Sequence, residues 1–242
     1  MVNQDDDYQL KVRKLLGDNF YIRDNAQHVS GWTVEEDGRV LVYGDVKLVT
    51  LQTQLPLRFS KVLGDFECFD KGLKTLKGAP EEVEGYFGAE HCQLTNLEGA
   101  PKRIGGYFNV SGNKIKSLAG FPEHVGGAIF LHDNLLTSLK GLPETMSDDL
   151  EIHGNDLTSL EGFPRSIAGW VTLDYTPTMP LLRTLGALHV NLVVTIEDGG
   201  KETKTKLQQI LNDPRWIGQG RAGAIDCKRA LVEAGFEGNA RW

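Results

Sequence analysis

The sequence predicts a repeat solenoid, a parallel β-sheet of about eight short strands joined by irregular return segments and capped at both ends. Phe66, Phe87, Phe108, Ile129, Leu150 and Val171 follow one another at a constant 21-residue interval (87−66, 108−87 and so on), with no insertion to break the register. Within each interval apolar and variable residues first alternate, the pattern of a strand with one face buried, and a loop with glycine and proline at fixed places follows. A unit this small cannot bury its own apolar face and must lean on the next one. The expected organisation is therefore an N-terminal cap over residues 1–44, a solenoid over 45–197 and a C-terminal helical cap over 198–242.

In the N-terminal cap, Tyr8, Val12, Leu15 and Leu16 share one helical face, Asp5, Asp6 and Asp7 stand at its positive end, and Gly17 can stop it. Trp32-Thr-Val and Val40-Leu-Val read as short strands around an Asp37-Gly38 turn. Val46 and Leu48 then supply a first, shorter unit, since Phe66 lies 20 residues after Val46.

The full units begin at Gly64, Gly85, Gly106, Gly127 and Asp148. Column three carries the periodic apolar residue, and column five carries Cys68, Ala89, Val110, Leu131, Ile152 and Leu173. Columns ten and thirteen add Leu73 and Leu76, Leu94 and Leu97, Ile115 and Leu118, Leu136 and Leu139, and Leu157 and Leu160. Column twenty contributes Val83, Ile104, Val125, Met146 and Ile167. Glycine in column fifteen and proline in column seventeen predict a return segment that is extended or a single turn, neither a second strand nor a full helix. Column eight holds Asn113, Asn134 and Asn155, with Cys92 one unit earlier; an amide there can bond backbone groups of its own turn and the next one.

After the repeats, adding 21 to Val171 and Leu173 gives Leu192 and Val194, which predicts a final strand around His189 to Ile196. Asp198-Gly199-Gly200 is a break. Leu207, Ile210 and Leu211 form one helical face ahead of Pro214, and a last helix carries Ala222, Ile225, Cys227, Ala230, Leu231 and Ala234 and ends at Gly235. This segment reads as a terminal cap, with a separate functional module as the alternative.

The run Phe108-x-Val110-x-x-Asn113-x-Ile115 resembles the Leu-x-Leu-x-x-Asn/Cys-x-Leu core of leucine-rich repeats, and Cys92 is a substitution that pattern allows. The step from Ile104 to Phe108 is one residue longer than the usual Leu-x-x-Leu. A short bacterial effector type with proline in its return segment is similar. A closer resemblance is to leucine-rich-repeat-like proteins of tailed bacteriophages, whose wording Leu-x-x-Leu-x-Gly-x-Pro-x-x-Val-Gly-Gly-x-Phe is matched from Leu94 to Phe108 and from Ile115 to Ile129. The closing stretch from Cys227 to Trp242 also resembles the tail of such proteins. The resemblance implies a leucine-rich-repeat solenoid working in the cytoplasm of an infected bacterium, with incorporation into the virion as the alternative; it names no activity.

The 242-residue chain is 40% hydrophobic and 24% charged, and its net charge of −7 disfavours a general phosphate-binding surface. No apolar run reaches membrane-spanning length, and the acidic start does not read as a secretory signal. Three cysteines, two in core columns, give neither a disulfide framework nor paired metal-ligand spacing, and point to a reducing compartment. No cofactor is implied.

Side chains in the outward columns form ladders along the stacked strands. Tyr86, Tyr107, Phe130 and Trp170 are aromatics the core does not require, and with Glu151, His132 and His153 they make the expected protein-binding face. The competing reading is that these rings reflect strand propensity and stack on one another. His132, His153 and Asp174 share column six of successive strands, where zinc could bridge the histidines with Glu151 or Asp174 nearby; solvated histidines are far commoner, and no metal is assigned. Cys227 falls on the apolar side of a short helix and reads as a structural thiol, which leaves no catalytic residue to name. The expected function is a non-enzymatic scaffold for a host or phage protein. A catalytic or nucleic-acid-directed activity in the last segment and a virion structural part are the alternatives.

Overall fold

The computed structural model describes residues 4–23, 31–174, 176–186, 191–195, 201–216 and 219–241. It is a parallel-strand β-solenoid of about six turns with a 21-residue period, with three α-helices among the described residues. By internal contacts the chain divides into two compact units, Met1–Ile115 with Ala119–Gly126, and Lys116–Leu118 with Gly127–Trp242.

In the first unit, helix α1 (Gln4–Asn19) buries Val12 and Leu16. It runs through Gly17, where an added Cβ would meet nothing within 4 Å, and ends two residues later than expected. Asn19 is buried: its amide donates to Leu15 O, and its Oδ1 accepts from Thr50 Oγ1 and Gln52 Nε2. The chain then turns directly into a strand the sequence reading did not foresee, Phe20–Arg23, which pairs antiparallel with Asp45–Leu48. Phe20 anchors it, its ring edge-on to Phe59 at 5.3 Å. Trp32–Val34 and Val40–Val42 form the expected antiparallel pair, with Gly38 at φ +78° in the turn.

Phe66–Glu67, Phe87–Gly88 and Phe108–Asn109 continue the parallel ladder begun by Asp45–Leu48, in the register Val46↔Phe66↔Phe87↔Phe108. Phe66, Phe87 and Phe108 are fully buried, and their rings follow one another at 5.6 and 5.8 Å. The return segment departs from expectation. Columns nineteen and twenty are short strands, Glu82–Val83, Arg103–Ile104 and His124–Val125, which form a second parallel ladder with Phe59–Val62. Proline removes a donor only at column seventeen, so the amides beyond it are free to pair from coil to coil, as Glu84 N does with Val62 O and Gly105 N with Val83 O.

The second unit repeats this plan. Ile129–Phe130, Leu150–Glu151, Trp170–Asp174 and Asn191–Thr195 are parallel neighbours, and Val171 pairs with Leu192 as the period requires. Thr145–Met146 and Ser166–Ile167 form the return ladder. His189, Ile196 and the break at 198–200 lie outside the described residues. A 3₁₀ helix at Leu181–Gly186 was not anticipated. Helices α2 (Lys201–Leu211) and α3 (Gly220–Glu233) follow, burying Leu207 and Leu211, and Ala224, Cys227 and Leu231 respectively. Ile225, expected on the apolar face of α3, is exposed, and Ala224 takes that place. Gly235, at φ +86°, closes α3 with a Schellman motif: Phe236 N donates to Leu231 O and Gly235 N to Val232 O.

Every column-three and column-five residue is buried. So are the column-ten and column-thirteen residues, apart from a half-buried Leu157, and in column twenty only Val125 is less than buried. Column fifteen explains its glycine twice: Gly99 has φ +86°, and a Cβ there would lie 2.8 Å from Leu76 O of the preceding coil. Asn113 spans coils as well, but toward the previous one. Its Nδ2 donates to Val110 O in its own turn and to Ala89 O of the coil before, while its Oδ1 accepts from Leu94 N. Cys92 takes over part of this role, donating Sγ–H to Cys68 O at 3.2 Å.

Candidate functional site

The outward columns of the ladder that buries columns three and five are where side chains escape the core. In the first unit, Tyr86 and Tyr107 are half-buried and stack on each other, ring centres 4.4 Å apart and planes within 8°. The Tyr86 hydroxyl donates to the Glu67 carboxylate, which also meets Lys47 Nζ at 3.0 Å, and that ammonium sits 4.7 Å over the Phe69 ring. Burial, then the bond to Glu67, pushes the Tyr86 phenol far above its ordinary range, and burial raises Tyr107 too. Burial opposes ionisation of Glu67, but the Tyr86 hydroxyl and the Lys47 ammonium outweigh it and hold the carboxyl low. Glu90 next to this group is raised, chiefly by burial, and its Oε2 is buried without a hydrogen-bond partner.

Column two contains a device the sequence reading missed. Asp45 Oδ1 accepts from Asp65 N, Asp65 Oδ1 from Tyr86 N, and Asp149 Oδ1 from Trp170 N. Each carboxylate thus caps the start of the next coil. The room comes from the glycine that opens that coil: a Cβ on Gly85 would fall 2.0 Å from Asp65 Oδ1. The signal in the sequence was aspartate in column two followed one unit later by glycine in column one.

In the second unit, Trp170 is 53% exposed, the most open of the expected aromatics, and Phe130 is half-buried beside its strand neighbour Glu151. His132 and His153 stack at 4.7 Å with planes within 4°. Glu151 Oε2 lies 3.9 Å from His132 Nε2. Asp174 is engaged elsewhere, accepting at Oδ2 from Gly154 N. The carboxylate that closes on the histidines is Asp133, whose Oδ2 is 2.9 Å from His132 Nδ1. Asp133 sits at φ +54°, the left-handed conformation that column seven adopts at Asp70, His91, Gly112 and Gly154 as well. Period alone placed the histidines; only the backbone twist of column seven brings this aspartate to them.

Cys227 is fully buried and its thiol is pushed up to about 12, by burial first and by Asp213 second, so it is not poised as a nucleophile. Cys68 is likewise buried and raised, donating to Gly88 O. The return face, by contrast, carries charges paired from coil to coil, Lys61 with Glu84, Lys77 with Glu98 and Lys140 with Glu161. Exposed pairs of this kind add little stability and keep that face solvated. No helix is long and apolar enough to cross a membrane among the described residues. Comparison with protein-family models, curated proteins and solved structures finds no match to this chain, so the reading of its surface rests on its own geometry.

Proposed function

We propose that this protein is a non-enzymatic recognition scaffold that binds another protein through the outward face of the ladder that buries columns three and five. The observation that carries the reading is Trp170, a large ring left 53% open on a strand whose core columns are already filled. Stacked Tyr86 and Tyr107, with Glu67 and Lys47 around them, supply the same mixture of rigid aromatic area and polar rim within the first unit. Repeat solenoids bind by offering such extended surfaces.

The leucine-rich-repeat wording of the units, and its resemblance to phage-encoded repeat proteins, sets the proposed context. The partner is a host or phage protein in the cytoplasm of an infected bacterium. The test is co-purification from infected cells with the native chain and with a Tyr107→Ala/Trp170→Ala variant. The reading expects a stoichiometric partner that is lost from the variant while its circular dichroism and melting stay native. Equal capture by both chains, or capture by residues 198–242 alone, would sink it.

A further inference from the structure

We infer that His132, Asp133 and His153 form a binding site for a divalent transition-metal ion of the zinc type, with a further coordination position open to water or to a ligand from outside the chain. One potential ligand atom from each of the three residues lies within 4.8 Å of the others. Tetrahedral zinc with bonds of about 2.0–2.1 Å holds its ligand atoms roughly 3.3 Å apart. The edge between His132 Nδ1 and Asp133 Oδ2, at 2.9 Å, is already that short. Binding would require side-chain rotation to close the remaining distance.

Two further observations point to a cation. His153 Nδ1 is buried and has no hydrogen-bond partner, a state an imidazole nitrogen avoids unless a proton acceptor or a metal completes it. His132 stands between two carboxylates, Asp133 at Nδ1 and Glu151 at Nε2. A neutral imidazole carries one N–H, so one of its nitrogens always turns a lone pair toward one of these acids. A metal held by Nδ1 and Asp133 removes that conflict: the proton then resides on Nε2, facing Glu151, the outer carboxylate that so often orients a metal-bound histidine.

The backbone makes the space. A Cβ on Gly154 would fall 2.3 Å from Asp133 Oδ1, so glycine directly after His153 is what lets the carboxylate lie across the next coil. Asp133 N donates to His153 O at 2.9 Å, fixing the two residues to each other. Two imidazoles and one carboxylate suit zinc, copper or nickel, whereas calcium and magnesium demand oxygen throughout. The inference does not rest on protein recognition, because two neighbouring coils of the chain supply all three residues.

The test uses the full chain, prepared without a histidine tag and stripped with chelator, then titrated with Zn²⁺ by calorimetry and with Co²⁺ by visible absorption. One equivalent is expected to bind and to raise the melting temperature. His132→Ala/His153→Ala and, separately, Asp133→Asn should weaken zinc by about tenfold or more. Asn tolerates the left-handed backbone of position 133, so its melting in chelator should match the native chain. Absence of stoichiometric zinc binding, or unchanged affinity in both variants, would overturn the inference.

Discussion

Asn113 offers a direct measure of how the coils are joined. It is 7% exposed and ties four backbone groups together, Leu94 N through Oδ1, and Ala89 O, Val110 O and Ser111 O through Nδ2. Replacing it with alanine leaves those groups buried without this partner, since Leu94, Ala89 and Val110 are themselves fully buried. An orphaned buried group costs about 1–3 kcal/mol, with the amide at the upper end because a carbonyl retains a second lone pair for other donors, so Asn113→Ala should lose about 3 kcal/mol. For a chain of this size that is a fall of roughly 6–12 °C in melting temperature. Asn113→Cys should lose less, because Cys92 in the same column still donates to the preceding coil. Asn113→Asp should lose at least as much as alanine, since a carboxylate there would face Ala89 O and Val110 O. Urea and thermal unfolding followed by circular dichroism would give the ranking. A loss below 1 kcal/mol for Asn113→Ala, or aspartate tolerated as well as cysteine, would refute the bridging role.

Gly99→Ala should destabilise by about 1–3 kcal/mol from backbone strain alone, with the 2.8 Å contact to Leu76 adding to it, whereas Gly17→Ala in helix α1 should stabilise by roughly 0.5–1 kcal/mol; paired melts that moved together would contradict both accounts. Phe87→Ala removes a fully buried ring from the stack and should cost about 3–5 kcal/mol, read by urea titration, and a surface-like effect would mean the core is elsewhere. Burial raises the Glu90 carboxyl in the fold, so its contribution is fully present below the unfolded value and is lost as pH rises through the folded one. Glu90→Gln should therefore gain on the native chain in melting temperature more at pH 8 than at pH 4, and an equal difference at both would reject that sign; Glu67, whose carboxyl is lowered, contributes in the opposite direction in both chains.

The buried columns were legible because each depends on side-chain identity at a fixed place. The period puts Phe66, Phe87 and Phe108 in one stack and pairs Val171 with Leu192. The second ladder was not legible, because proline in column seventeen argued against pairing in the return segment, whereas the pairing is made just beyond it by backbone groups that every residue carries. The strand Phe20–Arg23 was hidden for a different reason: it takes its register from Asp45–Leu48, a distant partner. Of the outward residues, the period gave the stacked pairs Tyr86 with Tyr107 and His132 with His153, but not the aspartates around them. Asp65 and Asp133 act through side-chain bonds or approaches set by backbone conformation, which composition does not record.

Because Asp65 caps Tyr86 through a bond that any residue's amide could make, the coils behave as interchangeable cassettes. Excising residues 85–105 would deliver Tyr107 N to Asp65, Phe108 to Phe66, and Asn113 to the carbonyl of Cys68, while the Tyr86–Tyr107 stack would be lost. The molecule would become shorter by one strand spacing, about 4.8 Å, and would still melt cooperatively, whereas a cut that is not a whole number of units would put core residues on the surface. The length of the outward face is thus adjustable only in whole steps, and duplication or loss of a cassette changes how far the protein can reach along a partner while leaving its interior chemistry alone.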